Sequence, residues 1–400
     1  TITHLQPKAV MAIMGDDVRW VGNEKGIGRE TEWSATALTP GIYTRSKEQN
    51  QRLELFEKAP DLGGRDIVAK ASELFWYPSE VDVSIRPGWF YHADQDEQVK
   101  SLSHLADIYF KSVGYNSVLL LNIPPDKRGL IHENDVKRIK ELSDYLTETF
   151  ADNKLRKGDV LWQATANSSK EYDVEKDAVF NTFLIQEDIS KGQRVESFTV
   201  EALIDGIWQQ LGEGTTVGYK RLLRFPECKA EKIRVTVNGS RGIANISKVG
   251  LFYARPLTEE DAALKLSDVP VNGWKVLGSD SDAQKAIDGN QATYWKADGM
   301  TPLVVDMGQA IDVAGFSYAP VNGDDKSGTI YKYRFYVSND GQDWTECDAS
   351  GEFSNIMHNP VPTFVRFGRK YPARFFKLEP LAEINNKNFI TIGEIGILTK

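Results

Sequence analysis

Two stretches of the chain set carboxylates among aromatic rings. The first runs Asp17-Val18-Arg19-Trp20-Val21-Gly22-Asn23-Glu24 and continues through Arg29-Glu30-Thr31-Glu32-Trp33-Ser34. The second begins at Trp76-Tyr77-Pro78-Ser79-Glu80 and passes through Asp82, Arg86 and Trp89 to Phe90-Tyr91-His92. An apolar wall disfavours the charged form of a carboxyl group and so readies it to donate a proton. An aromatic face packs on the C–H face of a sugar ring, while the hydroxyls take hydrogen bonds. These residue types together suit acid–base chemistry at a glycosidic bond. The competing reading is core aromatics with surface acids. It is the commoner meaning of a single Glu-Trp pair, and it weakens when two such clusters sit at strand ends.

The elements that must hold these clusters read as α/β from Thr1 to about Phe150, where short apolar runs alternate with helical periodicity. Ala9-Val10-Met11-Ala12-Ile13-Met14 is a continuous apolar run, the pattern of a strand buried on both faces. Glu80 to Ile85 alternates with a period of two. Gln98 to Val113 carries a helical stripe at Val99, Leu102, Leu105, Ile108 and Tyr109, closed by Gly114. Ser117 to Ile123 reads as a parallel strand, and a helix from Glu133 to Thr149 follows it. A complete (β/α)₈ barrel takes ~250 residues. Residues 1–154 are therefore expected to supply only its second half, the rest preceding Thr1.

From Lys157 onward, short alternating strands separated by Gly, Asn and Asp turns replace the helical period. An internal repeat runs through this region. Its first copy is Val195–Val200, Asp205-Gly206-Ile207-Trp208, Lys232–Val237 and Ser247–Leu251. Its second is Tyr333–Val337, Asp340 to Trp344 around an Asp-Gly turn, Arg374–Leu378 and Gly393–Ile397. Two β-sandwich modules of one type are expected, at 155–256 and 257–400, joined by the Pro-containing, acidic stretch Arg255–Leu266.

Composition narrows the partners. The 400 residues are 41% hydrophobic with a net charge of −9, and basic residues are interspersed with acidic ones. No basic stripe is present to neutralise phosphates, so nucleic acid is not expected as a partner. No apolar run is long enough to span a bilayer. The two cysteines, Cys228 and Cys347, exclude a disulfide framework.

The runs RWVGNEKGIGRETEWS, EVDVSIRPGWFYH and SVLLLNIPPDKRGLI closely resemble the second half of the catalytic domain of glycoside hydrolase family 29, the α-L-fucosidases, over about residues 5–150. The resemblance is closest to the subgroup acting on branched, Lewis-type fucosides. It implies a retaining enzyme in which an aspartate attacks the anomeric carbon and a glutamate protonates the leaving oxygen. Glu24 matches that acid/base, with Glu32 and Glu30 as alternatives. Trp89 matches the aromatic that packs on the fucose ring, and Arg86, Glu80 and Trp33 are candidate substrate contacts. The bland alternative for Arg86 is a buried ion pair with Asp82 or Glu80. The matching nucleophile would lie upstream of Thr1, so this chain alone is expected to lack useful turnover and to leave an open strand edge. Fucosylated glycans are the expected partners, and a periplasmic or extracellular location follows from that substrate. A sugar-binding adhesin with a vestigial barrel is the alternative from another class.

The last module resembles the F5/8 type C, or family 32 carbohydrate-binding, domains. The residues that carry this are Asp288-Gly289-Asn290 with Thr293 and Trp295, Val337 to Trp344, and Glu394-Ile395-Gly396. The resemblance implies a structural Ca²⁺ held by Asp288, Thr293 and Glu394 with backbone carbonyls; for catalysis by the fucosidase segment no cofactor is expected. An arginine frequent in sugar-binding members is absent after Tyr318-Ala319-Pro320, where Val321-Asn322-Gly323 follows. Asn322, Lys326 or Trp344 are its candidate substitutes. The middle module lacks the DGN-x-x-T-x-W pattern, and no ligand is expected there.

Overall fold

A computed structural model describes residues 2–12, 15–40, 47–261, 264–323, 325–353, 356–357 and 360–399. The chain divides into two units, Thr1–Ala262 and Ala263–Lys400. In the first, strands β1 (Arg19–Trp20), β2 (Ser79–Ser84) and β3 (Val118–Asn122) form a parallel sheet in that order. Parallel neighbours require a crossover, and helix α1 (Leu102–Ser112) supplies it between β2 and β3. Helix α2 (Glu133–Phe150) follows β3. The Ser101 hydroxyl caps α1 by accepting from the His104 amide at 3.1 Å, which sets the helix start later than the stripe from Gln98 suggests. Ala93–Gln98 forms a 3₁₀ turn instead.

The α1 stripe packs where its period points it. Leu102, Leu105 and Ile108 share a core with Val83, Ile85 and the α2 residues Leu142 and Tyr145. Val83 facing the helices places Glu80, Asp82 and Ser84 on the opposite face of β2, because a strand alternates with a period of two. The apolar run Ala9–Met14 behaves differently from its expectation. Ala9–Ala12 form no ladder, Val10 is exposed, and Ile13 and Met14 lie outside the described residues. The amides of Asp17 and Val18 donate to Met11 O, and the ladder starts at Arg19. Apolarity alone does not make a strand; it needs a neighbouring strand to accept its hydrogen bonds.

From Trp162 to Phe252 the first unit is a sandwich. Its strands are β4 (Trp162–Ala164), β5 (Ser168–Asp173), β6 (Phe180–Glu187), β7 (Val195–Ile204), β8 (Ile207–Gly214), β9 (Arg221–Cys228), β10 (Lys232–Ser240) and β11 (Ala244–Phe252). They form two four-stranded sheets, ordered β8-β7-β10-β5 and β9-β6-β11-β4. Inward residues such as Phe183, Phe198, Val235 and Ile246 fill the space between them. Leu184, Leu222 and Phe252 instead face the helices and join the core of α1 and α2.

The second unit holds β12 (Lys275–Val276), β13 (Trp295–Asp298), β14 (Leu303–Ala319), β15 (Ile330–Ser338), β16 (Thr345–Glu346), β17 (Thr363–Glu383), β18 (Phe389–Ile392) and β19 (Glu394–Leu398). One sheet runs β12-β14-β17-β15-β16 with β19 also on β14, and β13 pairs β18. The repeat read from the sequence reappears in the pairing. β7 pairs β10 as β15 pairs β17, and β11 pairs β6 as β19 pairs β14, all antiparallel. The Asp-Gly turns correspond too, with Gly206 at φ 74° and Gly341 at φ 75°, a conformation glycine adopts without steric cost. The units differ in that β14 also pairs β17 and so merges the sheets.

Candidate active site

Parallel pairing brings the carboxyl ends of β2 and β3 level, with Ser84 beside Asn122, while the ladder of β1 stops at Trp20 beside Glu80, near the start of β2. In parallel α/β sheets, ligand sites gather at the carboxyl ends of strands. Glu24 lies four residues beyond β1, and Trp89 five beyond β2. The Trp89 indole Nε1 donates to Glu24 Oε2 at 2.8 Å. Residues 65 positions apart thus meet directly, both partly exposed.

Local turn chemistry holds Glu24. Gly22 at φ +93° takes a backbone conformation that a side chain strains, and a Cβ there would collide with Lys58. The Asn23 side chain accepts from the Lys25 amide at 3.0 Å and donates to Ile27 O at 3.0 Å, closing a short loop around Glu24.

The other candidates fall into distinct settings. Glu80 is 2% exposed, and its Oε1 has no hydrogen-bond partner. Burial, and then the neighbouring Asp82 charge, raise its pKa. Asp82 stands on the same face and accepts from Trp20 Nε1 at 2.9 Å; burial raises its pKa as well. The period-two alternation of β2 marks Asp82 as Glu80's companion on that face, a role beyond the ion pair with Arg86 expected of it.

Arg86 is fully buried and turned inward. Its guanidinium holds Asp135 of α2 at 2.9 Å and Asp96 at 3.0 Å, and it stacks 4.8 Å from the Tyr91 ring. It is thus an ion-pair hub rather than a presented substrate contact, and its partners are neither Asp82 nor Glu80. A guanidinium with no water to hydrate it takes whatever carboxylates the fold brings, and α2 brings one that sequence proximity did not suggest.

Glu32 is likewise engaged. It is buried, ion-paired with Arg19, and bridged to Arg29 at 3.1 Å. Trp33 is 4% exposed, with the Arg241 guanidinium 3.9 Å from its ring centre, so its face meets a protein cation. Glu30 is exposed; its carboxylate accepts from Tyr115 Oη at 3.3 Å, and its carbonyl accepts from Thr216 Oγ1 at 3.2 Å in the sandwich. Of the three glutamates, Glu24 is the one joined to Trp89.

In the second unit Asp288, Thr293 and Glu394 converge from two segments. Thr293 Oγ1 donates to Asp288 Oδ2 at 2.8 Å, and the Gly289 amide donates to Glu394 Oε2 at 3.1 Å. Glu394 is buried with Oε1 unpartnered, and burial pushes its pKa up to about 7. Among the described residues, no group of three or more His, Cys, Asp or Glu side chains is placed to hold a metal ion; the Asp288–Thr293–Glu394 set has two.

A family profile described as Alpha-L-fucosidase matches residues 17–149, and one described as F5/8 type C domain matches residues 272–395. The chain carries a domain of the α-L-fucosidase family, glycoside hydrolase family 29, and an F5/8 type C domain. The fucosidase segment contains Glu24 and Trp89, and the F5/8 segment contains Asp288, Thr293 and Glu394. Among curated proteins, "Alpha-L-fucosidase 1" of Arabidopsis thaliana is 36% identical over 284 residues, covering 63% of this chain and 53% of that protein. Among solved structures, a Bacteroides ovatus protein assigned as an α-L-fucosidase is 54% identical at a TM-score of 0.64, covering all of this chain and 65% of that one. A glycoside hydrolase 29 family member from an unknown rumen bacterium is 32% identical at a TM-score of 0.54, covering 66% of that chain. The chain spans about half the length of the curated relatives it matches.

Proposed function

We propose that this protein acts as a retaining exo-α-L-fucosidase that releases α-1,3/1,4-linked fucose from glycans. The observation that carries the reading is the Trp89–Glu24 hydrogen bond at strand ends inside the fucosidase segment. In the proposed first step a carboxylate attacks the anomeric carbon and the glycosidic C–O bond breaks. Glu24 gives its proton to the departing oxygen. In the second step Glu24, now a base, takes a proton from water, which displaces the enzyme carboxylate and yields fucose of unchanged anomeric configuration. Trp89 offers its ring to the fucose while its N–H holds the acid. Glu80 and Asp82, on the inner face of β2, stand as further hydroxyl partners.

In this reading residues 1–154 belong to a (β/α)₈ barrel, 155–256 to an associated sandwich and 257–400 to the F5/8 type C module. Fucosylated glycans outside the cytoplasm, in the periplasm or beyond the cell, are its substrates. Asp288, Thr293 and Glu394 suit a structural Ca²⁺, a hard cation that takes oxygen ligands. The unpartnered, buried Glu394 Oε1 is the feature that supports it. Bound there, the ion would neutralise the carboxylates and tie two chain segments together.

The test is hydrolysis of a Lewis-type fucosylated trisaccharide by the full-length gene product, beside its Glu24→Gln variant. We expect the variant to lose ~10²–10⁴-fold in kcat/KM and to recover on a fucoside whose leaving group needs no proton. Undiminished hydrolysis by Glu24→Gln would reassign the acid, and an inactive wild type would favour a sugar-binding role.

A further inference from the structure

Trp89 reaches Glu24 from a loop that leaves β2, and a loop by itself does not fix an indole to hydrogen-bonding accuracy. Two side chains at the ends of adjacent strands hold it. Asn122, the last residue of β3, donates from Nδ2 to the Trp89 carbonyl at 3.0 Å and to Ser84 Oγ at 3.1 Å. Ser84, the last residue of β2 and the register partner of Asn122, donates to Gly88 O at 2.7 Å. Its Oγ also accepts from the Arg86 amide at 3.3 Å. The loop backbone is thereby tied at Arg86, Gly88 and Trp89. On the far side, Arg86 is locked to Asp135 of α2.

We propose that Asn122 and Ser84 are positioning residues for proton transfer: they fix the Trp89 loop, and Trp89 in turn fixes the Glu24 carboxyl. This rests on Glu24 being the acid/base. Neither residue needs to touch the sugar. Both are polar atoms at strand ends with mostly backbone acceptors, which suits setting geometry. A misplacement of ~1 Å in a catalytic group costs ~10²-fold in rate, so losing the clasp should be felt chiefly in the step that needs the proton.

The leaving group separates this role from a merely structural one. The full-length protein carrying Asn122→Asp keeps the shape of the side chain but has no amide donor for the Trp89 carbonyl. We expect its kcat/KM on the trisaccharide to fall ~10–100-fold. On an aryl fucoside with an activated leaving group the fall should be about tenfold smaller, limited to the packing of the Trp89 ring on fucose that both substrates lose alike, because that departure needs little protonation. Ser84→Ala should show the same pattern more weakly, and Ser84→Thr, which retains the hydroxyl, should restore it. Equal losses on both substrates, or no loss on either, would overturn the proposal, and so would failure of Ser84→Thr to rescue. If Asn122→Asp does not fold, the Ser84 pair alone decides. Glu24→Gln in the same assay keeps the two readings apart. Should Glu24→Gln show no leaving-group dependence, the acid assignment fails; should it show that dependence while the Asn122 and Ser84 variants do not, only the clasp fails.

Discussion

The two β-sandwich regions repeat a strand pattern, yet each treats a buried glutamate differently. Glu187 in the middle sandwich and Glu394 in the terminal unit are both nearly inaccessible, and burial pushes both up to about 7. Glu187 is enclosed by donors: its oxygens accept from the amides of Arg194 at 2.7 Å, Val195 at 3.1 Å and Gly218 at 2.8 Å. Glu394 accepts from the Gly289 amide, and its Oε1 has no partner. In the repeat, Lys248 occupies the position of Glu394, and it pairs with Asp159 at 3.4 Å. The same strand framework therefore closes one carboxylate with backbone amides and leaves the other open beside Asp288. A carboxylate satisfied by amides ties loops together without an ion, whereas an open one invites a cation.

The most damaging test of this contrast removes the closed carboxylate. Glu187→Ala strands three amides in a buried site, and each unsatisfied donor costs ~1–3 kcal/mol. We expect a loss of about 3 kcal/mol or more in urea unfolding of the first unit; a loss under ~1 kcal/mol would show that these amides find other acceptors. Calcium probes the open carboxylate. A hundredfold excess over Kd adds about 2.7 kcal/mol to a site that binds only when folded. The calorimetric transition of the terminal unit should therefore rise with Ca²⁺ and that of the first unit should not. Glu394→Gln should abolish the response, and an unchanged response would move the ion elsewhere.

The pH dependence sharpens the comparison further. Folded Glu394 keeps its proton up to about pH 7, while the unfolded chain releases it near the ordinary 4.5. The folded state binds more protons between these values, so stability falls as pH rises through that window. Glu187 carries the same sign. Added Ca²⁺ should flatten the slope of the terminal unit alone, as urea melts from pH 4 to 8 would report. The smallest effect belongs to Glu394→Gln at pH 8 in chelator, which replaces a buried charge with a neutral amide. Its stability should lie within ~1 kcal/mol of wild type or above it, while Glu187→Gln at the same pH loses ~1 kcal/mol with its amide bonds. A large loss from Glu394→Gln would mean that its carboxylate is already satisfied within the protein.

Much of this was legible in the residues. The α1 stripe, the alternation of Glu80 to Ile85, the Ser117–Ile123 strand and the repeated Asp-Gly turns each encode a period or a backbone conformation that short-range sterics enforce. They appear close to where those rules place them. The Glu24 and Trp89 motifs were visible as types and spacings too, because turn residues and aromatics keep a local signature. What each charged side chain does was decided only by the fold. Arg86, Trp33 and Glu32 sit in the same short motifs as Glu24 and Trp89, yet they met Asp135, Arg241 and Arg19. Asn122 acquired its part because β3 ends beside β2, and Glu394 because a distant turn carries Asp288 to it. Periodicity and turn preference act over a few residues and are written along the chain. The partner of a buried charge depends on which long-range strand and helix pairings exclude water around it, and no local spacing specifies that.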